Sequence, residues 1–319
     1  MTKKKVCLFG VSANPPTGNN GHVGIVTALI NLNVYEEIRI LPVYRHAFCS
    51  KRDQLVDFSH RAAMCELAFL RLNTTGTTKR YSDTKAAPAA KLAKVVVSRA
   101  EERSFKRMCS SLSSLKMRRG ETELSEEEKS NIRVGTADLL EMLMEQEDKN
   151  LRDKEETIPH QATEFSFCLG ADTFMDLTDW KWKRSKDVLR LLEGRLVVVN
   201  RMQDPPQHKN QQLQQDKIDK GKTVESSLKL LRERIDEINK LFNFDGKVIL
   251  LNVPTLGNVS SSMARSFCIN GDVKNLETIV PSAVLDYISK NKLYGFNEKV
   301  NLDDDEYNNK ATGDGKYIR

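Results

Sequence analysis

The chain has 319 residues, of which 39% are hydrophobic and 29% are charged, and its formal net charge is +6. This composition is typical of a globular protein that buries a sizeable core in one or two domains. No apolar run approaches the length of a membrane-spanning helix. The first strand pattern follows directly on Met-Thr-Lys-Lys-Lys, which leaves no room for a secretory signal. We therefore expect an intracellular protein, cytoplasmic or nuclear.

Cysteine spacing and charge argue against two further classes. The six cysteines are scattered and form no C-x-x-C pair, which is typical of reduced thiols rather than of a disulfide framework or a zinc site. The positive net charge is mild and no basic helix accompanies it, so it does not indicate nucleic-acid binding. The cysteines are Cys7, Cys49, Cys65, Cys109, Cys168 and Cys268.

The stretch from residue 6 to residue 26 predicts a strand, a glycine-rich turn and a helix. Residues 6–9 form a short apolar run that Gly10 ends, and Pro15-Pro16 prevents a helix in the turn. An apolar helical pattern begins at Val23, directly after His22. Free N–H groups and the positive end of the helix dipole make such a helix start a common phosphate site. We therefore expect the first N–H groups of this helix to point at an anion.

Strand patterns alternate with helix patterns along the chain. This alternation predicts an α/β fold, a Rossmann-like doubly wound parallel sheet with helices on both faces, in one domain over 1–296 with a polar tail over 297–319. A charged connector spans 148–160. Charged insertions are expected near 71–94, 102–133 and 202–225. The predicted strands are 6–9, 37–43, 95–97, 165–169, 195–200 and 247–253, and the predicted helices are 23–34, 58–72, 136–146, 187–192, 226–242, 263–269 and 282–291.

Each polar cluster of the sequence follows a predicted strand. Ligands of doubly wound sheets bind beyond the carboxyl ends of the strands, near the point where the strand order reverses. We therefore expect these clusters to converge on one site. They are residues 14–22, 45–51, 98–101, 170–172, 200–201 and 260–265.

Short motifs within these clusters resemble those of a known superfamily. They are Phe9-Gly10-x-Ser12-x-Asn14-Pro15 with Gly21-His22, Lys51 with Arg61-x-x-Met64, Thr136-x-Asp138, Leu169-Gly170-Ala171-Asp172 with Trp180, Val259-Ser260-Ser261-Ser262-Met263-Ala264-Arg265, and the run from Val280-Pro281 to Leu293-Tyr294. Together they resemble the nucleotidylyltransferase superfamily with the H-x-G-H signature, and within it nicotinate/nicotinamide mononucleotide adenylyltransferases. The resemblance covers most of the chain.

Two departures from the family pattern matter. The family spacing is N-P-x-H-x-G-H, but here two extra residues intervene and the first histidine is missing. Counting back from His22 puts Asn19 in its place, whereas counting forward from Asn14 puts Thr17 there, and either side chain can donate a hydrogen bond. The second departure is Ala100, where many relatives have a tryptophan that stacks on the pyridine ring.

The resemblance implies adenylyl transfer from ATP to nicotinamide or nicotinic acid mononucleotide, with release of pyrophosphate. It implies Mg²⁺ held by the phosphates rather than by a protein cage. The implied catalytic residues are His22, Lys51, Arg265 and Asn19. The implied ATP-binding residues are Phe9, Gly10, Ser12, Asn14, Thr17, Gly21, His22, Gly170, Asp172, Asn200, Arg201, Ser260, Ser261, Ser262 and Arg265. The implied mononucleotide-binding residues are Ser12, Lys51, Thr136 and Trp180, with Trp180 favoured over Trp182.

Several alternatives stay open at this point. The acceptor of a related transferase would be phosphopantetheine or a cytidylyl acceptor, and the missing histidine supports a catalytically impaired, nucleotide-binding regulatory protein. A plain helix cap is the alternative role of His22, and ordinary solvated charges are the alternative for Lys51 and Arg61. The expected partners are ATP and a pyridine mononucleotide, without nucleic acid or membrane, and a homo-oligomer is compatible with the sequence. The sequence does not distinguish nicotinamide from nicotinate.

Overall fold

A parallel sheet forms the centre of the computed structural model, which describes residues 3–46, 52, 54–74, 92–152, 161–200 and 214–296, with side chains from residue 227 onward in the last range. Within these ranges, six strands pair in parallel in the order β3-β2-β1-β4-β5-β6. They are β1 (Lys4–Val11), β2 (Glu37–Pro42), β3 (Lys94–Val97), β4 (Thr163–Gly170), β5 (Leu196–Asn200) and β6 (Ile249–Asn252).

Helices connect the strands and close the chain. They are α1 (His22–Asn31), α2 (Phe58–Phe69), α3 (Ala100–Arg118), α4 (Glu126–Asn131), α5 (Thr136–Arg152), α6 (Ala171–Thr178), α7 (Ser185–Leu191), α8 (Gln214–Phe242), α9 (Ser261–Asn270), α10 (Val273–Ile279) and α11 (Ser282–Lys290). Short 3₁₀ turns follow at Leu70–Asn73 and Leu293–Gly295. None of these described helices combines the length and the apolar character that crossing a bilayer requires.

The strand order reverses between β1 and β4. From β1 the chain moves outward through β2 to β3, and it then returns to β4 on the other side of β1. Phe9 of β1 consequently pairs with Ile40 on one side and with Cys168 on the other. The loops that follow β1 and β4 leave the sheet at this reversal, which is where doubly wound sheets bind ligands.

Alternate residues of β1 face two separate cores, because side chains of a strand point to opposite faces. Cys7 and Phe9 belong to a core shared with α1, α2 and α9–α11. Val6 and Leu8 belong to a core shared with α3 and α5–α8. Both sets are almost fully buried. The predicted doubly wound sheet with helices on both faces is therefore confirmed.

Several helix bounds differ from the sequence-based expectation. Helix α8 begins at Gln214, inside the segment predicted as an irregular insertion, and α5 continues to Arg152 through the start of the predicted connector. Gln, Lys, Glu and Asp-rich stretches lack an apolar stripe, but most of these residue types have good intrinsic helix propensity. Helices α6 and α10 were not predicted. They are only 8 and 7 residues long, which is too short for a clear apolar period.

The insertion predicted near 102–133 contains most of α3 and all of α4. Ser125 caps α4, and its side chain accepts from the backbone N–H of Glu128 at 3.1 Å. Lys116 of α3 forms an ion pair with Glu128 at 2.6 Å, which joins the two helices. Residues 75–91 and 201–213 of the other two insertions, and the tail over 297–319, lie outside the described residues.

Candidate functional site

The loop after β1 holds the imidazole of His22 in one tautomer. Thr17, 1% exposed, donates its backbone N–H to His22 Nδ1 at 3.0 Å, and its Oγ1 lies 2.8 Å from the same nitrogen. A backbone N–H can only donate, so Nδ1 accepts and the ring carries its proton on Nε2. The ring of Phe9 lies beside it, with 6.4 Å between the ring centroids. His22 is therefore arranged as a hydrogen-bond donor through Nε2.

The same loop satisfies the first N–H groups of α1. The N–H of His22 donates to Thr17 Oγ1 at 3.0 Å, and the N–H of Val23 donates to Thr17 O at 3.1 Å. The N–H of Gly24 donates to Gly18 O at 3.4 Å. The expectation that these N–H groups point at an anion is therefore wrong. The loop folds back, so that its own oxygens cover the start of the helix.

Two glycines make this close approach possible. A Cβ atom at Gly21 would lie 2.1 Å from Thr17 Oγ1, and one at Gly24 would lie 1.9 Å from Asn19 O, so neither position tolerates a side chain. Asn19 is exposed in the turn. Of the two candidates for the place of the missing histidine, it is Thr17 that contacts His22.

The start of α9 packs against the same loop, although more than half of the chain separates them. Ser260 caps the helix, since its Oγ accepts from the N–H of Met263 at 3.2 Å. Ser261 Oγ donates to Pro15 O at 2.7 Å. The serine motif and the first loop, which resemble separate motifs of one family, therefore form one continuous surface.

Arg265 of α9 reaches across to the first loop. Its Nη1 donates to Asn14 O at 2.9 Å, and its Nη2 donates to Gln54 Oε1 at 3.0 Å and to Ser262 Oγ at 3.2 Å. These contacts use three of the five N–H donors of a guanidinium group. All three partners are neutral oxygens, so these contacts orient the positive charge without neutralising it.

Asn14 is the point at which three segments meet. Its side chain is 2% exposed, and its Nδ2 donates to Gln54 O at 2.7 Å. Its Oδ1 accepts from the N–H of Val56 at 3.2 Å and from the hydroxyl of Tyr294 at 3.0 Å. Burial raises the pKa of Tyr294 well above its usual range, so the hydroxyl keeps its proton and donates. The sequence placed Tyr294 in a C-terminal motif but gave no signal for Gln54.

Arg61 is buried and binds main-chain carbonyl oxygens, so it is not a solvated surface charge. It is 2% exposed and donates to the carbonyl oxygens of Val56 at 2.9 Å, of Ser12 and Tyr44 at 3.1 Å each, and of Val43. Burial lowers the pKa of this guanidinium. Because Ser12 follows β1 and the other carbonyls follow β2, Arg61 fixes the two loops relative to each other.

Glu101 supports the same loops from the first turn of α3. Its Oε2 accepts from the N–H of Tyr44 at 2.7 Å, and the carbonyl of Tyr44 accepts from Arg61, so one residue separates the opposite charges. Burial raises the pKa of Glu101 to about 7. The adjacent Ala100 is fully buried. Ala100 is therefore part of the core.

The ends of β4 and β5 are open. Gly170 is exposed, and a Cβ atom added there would meet nothing within 4 Å, so packing does not explain the glycine. Asp172 is exposed in the first turn of α6. Asn200 Nδ2 lies 3.4 Å from Oδ1 of Asn252, its partner in the sheet. At the end of β1, by contrast, a Cβ atom at Gly10 would lie 3.3 Å from the ring of Phe167.

Thr136 is the first residue of α5, and the side chain of Asp138 accepts a hydrogen bond from the main chain at this helix start. The N–H of Gly135 donates to Asp138 Oδ2 at 3.2 Å, and Asp138 Oδ1 accepts from Arg184 Nη1 at 2.8 Å. Asp138 is therefore engaged in local structure. The side chain of Thr136 is partly buried at this helix start.

Trp180 packs between α7 and α8. Its ring packs at 6.2 Å from Phe242, and Lys186 Nζ lies 5.3 Å from its centroid. Phe242 stacks on Phe244, which covers Gly194 just before β5 begins. The indole therefore belongs to an aromatic cluster that reaches the amino end of β5. A left-handed backbone conformation at Trp180, with φ of 62°, turns the chain at this point.

Two predicted site residues, Lys51 and Arg201, lie outside the described residues. Within the described ranges, no group of three or more His, Cys, Asp or Glu side chains could hold a metal ion.

Comparison with known proteins extends the fold assignment. No protein-family model matches the sequence, and no curated protein matches it. Among solved structures, the chain is similar to Plasmodium falciparum nicotinic acid mononucleotide adenylyltransferase complexed with APC, with a TM-score of 0.50 and 21% identity over 92% of this chain and 98% of that chain. That protein complexed with NaAD gives a TM-score of 0.49 and 20% identity over the same shares. The first likeness shows a common fold along nearly the whole chain.

Proposed function

We propose that this protein transfers the adenylyl group of ATP to nicotinamide or nicotinic acid mononucleotide, forming NAD or its deamido form and pyrophosphate. The observation that carries the proposal is the contact between the first loop and α9. There Arg265 donates to Asn14 O at 2.9 Å, and Ser261 donates to Pro15 O at 2.7 Å. An oriented cation and the Nε2 donor of His22 consequently border the same loop, at the reversal of the strand order. The fold likeness to a mononucleotide adenylyltransferase supports this reaction class.

The chemistry requires positioning rather than a strong base. A phosphate oxygen of the mononucleotide attacks the α-phosphorus of ATP, and the bond from that phosphorus to pyrophosphate breaks. Because the attacking phosphate is already an anion, no proton has to be removed. Catalysis then depends on alignment and on stabilising charge on the phosphates. In this proposal His22 donates from Nε2 to a phosphate oxygen, Arg265 with Ser260–Ser262 binds the β and γ phosphates, and Lys51 adds a second cation.

The open ends of β4 and β5 suit the nucleoside of ATP. The unfilled space above Gly170 lets a ribose or base approach the backbone closely, and Asp172 is exposed to accept from a ribose hydroxyl. We assign Asn200 and Arg201 to the same nucleoside. We assign the acceptor mononucleotide to Ser12, Lys51 and Thr136, and we do not assign Trp180 to it.

The donor chemistry of the crevice fits magnesium bound through the substrate. The groups around Asn14 and Arg265 are hydroxyls, amides and cations, none of which forms a hard-cation cage. Mg²⁺ commonly keeps several waters and binds through phosphates rather than through an all-protein site. When bound, it would neutralise charge on the triphosphate. Asp172 is the exposed carboxylate nearest in sequence to the open strand end.

A second candidate is a nucleotide-binding protein without turnover. The specific observation in its favour is that Thr17 and Gly18 already satisfy the first N–H groups of α1, which removes donors that an anion would otherwise use. Thr17 also lacks the charge that a histidine can carry. This candidate predicts ATP binding but no dinucleotide.

The test is incubation of the full chain with ATP, Mg²⁺ and either mononucleotide, followed by chromatographic detection of dinucleotide and pyrophosphate. We expect equimolar products, and we expect the matched variant Arg265→Ala to lose them. ATP binding by calorimetry without product from either mononucleotide would contradict adenylyl transfer to this acceptor. Product from phosphopantetheine, or from CTP in place of ATP, would instead assign the chain to a related transferase.

A further inference from the structure

We propose that Gln54 is a positioning residue for Arg265, and that its neutral amide orients the guanidinium for the triphosphate without pairing its charge. This inference rests on the proposed function only in naming ATP as the ligand. Gln54 lies at the end of the segment between β2 and α2, far in sequence from α9. Its Oε1 accepts from Arg265 Nη2 at 3.0 Å.

The placement of Gln54 is set by its main chain. Its carbonyl oxygen accepts from Asn14 Nδ2 at 2.7 Å, so the residue is fixed to the buried asparagine before its side chain makes any contact. Asn14 is itself held by Val56 at 3.2 Å and by Tyr294 at 3.0 Å. A chain of hydrogen bonds therefore runs from the C-terminal turn through Asn14 and Gln54 to Arg265. The side chain of Gln54 is exposed, but the main chain that positions it against Arg265 is held by the buried Asn14.

The chemical type of the side chain matters as much as its position. A carboxylate at the same place would form a bidentate ion pair with Arg265 and would compete with phosphate for the same donors. An amide oxygen accepts one hydrogen bond and leaves the positive charge available. Arg265 then keeps Nε–H and one N–H of Nη1 outside the described contacts, and each of these donors can bind a phosphate oxygen.

The decisive variant is Gln54→Glu, with ATP affinity measured by calorimetry in the presence of Mg²⁺. We expect the Kd for ATP to rise about tenfold or more, because the introduced carboxylate pairs with Arg265 and repels the triphosphate. Gln54→Met, which has a similar length but no acceptor, should raise this Kd about threefold. Ser59→Glu is the matched control, since it adds the same charge at an exposed position of α2 and should leave the Kd unchanged.

A double-mutant cycle separates positioning from a general charge effect. In an Arg265→Ala background, Gln54→Glu should no longer weaken ATP binding by the same factor. Equal fold-changes in both backgrounds would overturn the inference, as would an ATP affinity that Gln54→Glu leaves unchanged. With turnover, the KM for ATP should rise while the KM for the mononucleotide changes less than about twofold.

The outcome also separates this inference from the proposed function. If the wild-type chain binds ATP and the cycle shows coupling but no dinucleotide forms, the reaction is wrong and the role of Gln54 stands. If dinucleotide forms and the cycle shows no coupling, the role of Gln54 is wrong and the reaction stands. A wild-type chain that does not bind ATP overturns both.

Discussion

The two sides of the candidate site differ in how fully their polar groups are held by hydrogen bonds. On the arginine side, polar groups from four distant segments contact one another at 2.7–3.2 Å. On the open side, Gly170 and Asp172 are exposed, and the amide contact of Asn200 is 3.4 Å long. The arginine side is defined by Asn14, Thr17, His22, Gln54, Ser261, Arg265 and Tyr294, and the open side by Gly170, Asp172 and Asn200.

Under the proposed function, this difference corresponds to two separate roles in binding the substrate. Groups that stabilise charge act best when they are fixed in advance, because no reorganisation is then needed as charge develops. A nucleoside can instead be bound on an open edge, where it replaces water. Substitutions on the arginine side should therefore lower turnover strongly, whereas a substitution of Trp180, whose aromatic cluster reaches the amino end of β5, should have a small effect.

The largest effect is expected from His22→Ala. Removal of the Nε2 donor should lower kcat about 100- to 1000-fold, as for the loss of one fixed donor to a charged transition state. His22→Gln, whose amide can still donate, should recover part of this loss. The measurement is initial rates of dinucleotide formation with both substrates saturating. Unchanged turnover in His22→Ala would remove His22 from the mechanism and leave it a helix-start residue.

Thr17→Val tests whether the side-chain hydroxyl of Thr17 is needed to orient the Nε2 donor of His22. The valine keeps the shape of the buried threonine but leaves the N–H of His22 without its acceptor at 3.0 Å. We expect kcat to fall about tenfold, because the ring loses one of its two partners on Nδ1. Thr17→Ser retains the hydroxyl and should keep most of the activity. Equal rates for Val and Ser would mean that the backbone N–H of Thr17 suffices.

How much of this arrangement follows from the sequence can be judged on particular residues. Short apolar runs predicted β1, β4 and their neighbours, because a strand that is buried on both faces has such a run. The carboxyl-end rule correctly placed Arg265 near the first loop, since both follow strands of one parallel sheet. The contacts of Thr17 were not predictable, because they depend on how two additional residues fold back onto Gly21 and Gly24.

Other features of the site depend on tertiary structure alone. Gln54 lies outside every motif, and its role arises only where Asn14 and α9 meet. Trp180 was assigned from motif order, which does not report that its ring packs 6.2 Å from Phe242 of α8. Glu101 looks like an ordinary charged residue in the sequence. Its raised pKa follows from burial beside Tyr44, which sequence patterns do not report.

Glu101→Gln tests whether the first turn of α3 supports the loop after β2 through a carboxylate or through a neutral acceptor. Burial raises the pKa of Glu101 from 4.5 to about 7, so the folded state binds this proton more tightly than the unfolded state. Stability from this group is therefore present at low pH and is lost as the pH rises from about 4.5 through 7.

Glutamine retains the oxygen that accepts from Tyr44 and removes the titration. We expect the free energy of unfolding of Glu101→Gln to exceed that of the wild type by roughly 1 kcal/mol at pH 8 and to equal it near pH 4.5. This difference is smaller than the pKa shift alone would give, because solvent screens part of the interaction. Denaturant unfolding at the two pH values measures the difference. A constant difference across this range would show that the carboxyl is ionised throughout.

Trp180→Phe should have the smallest effect, because the aromatic cluster of this indole reaches the amino end of β5 rather than the open side. Phenylalanine keeps an aromatic face against Phe242 and below Lys186, so the cluster at the amino end of β5 should persist. We expect the KM for either mononucleotide to change less than about twofold, with a stability loss below about 1 kcal/mol. Trp182→Phe is the matched control, because that indole packs on the adjacent core. A rise of the mononucleotide KM of about tenfold in Trp180→Phe alone would mean that the indole leaves its cluster to stack on the pyridine ring, and the open side would then be assembled by the substrate.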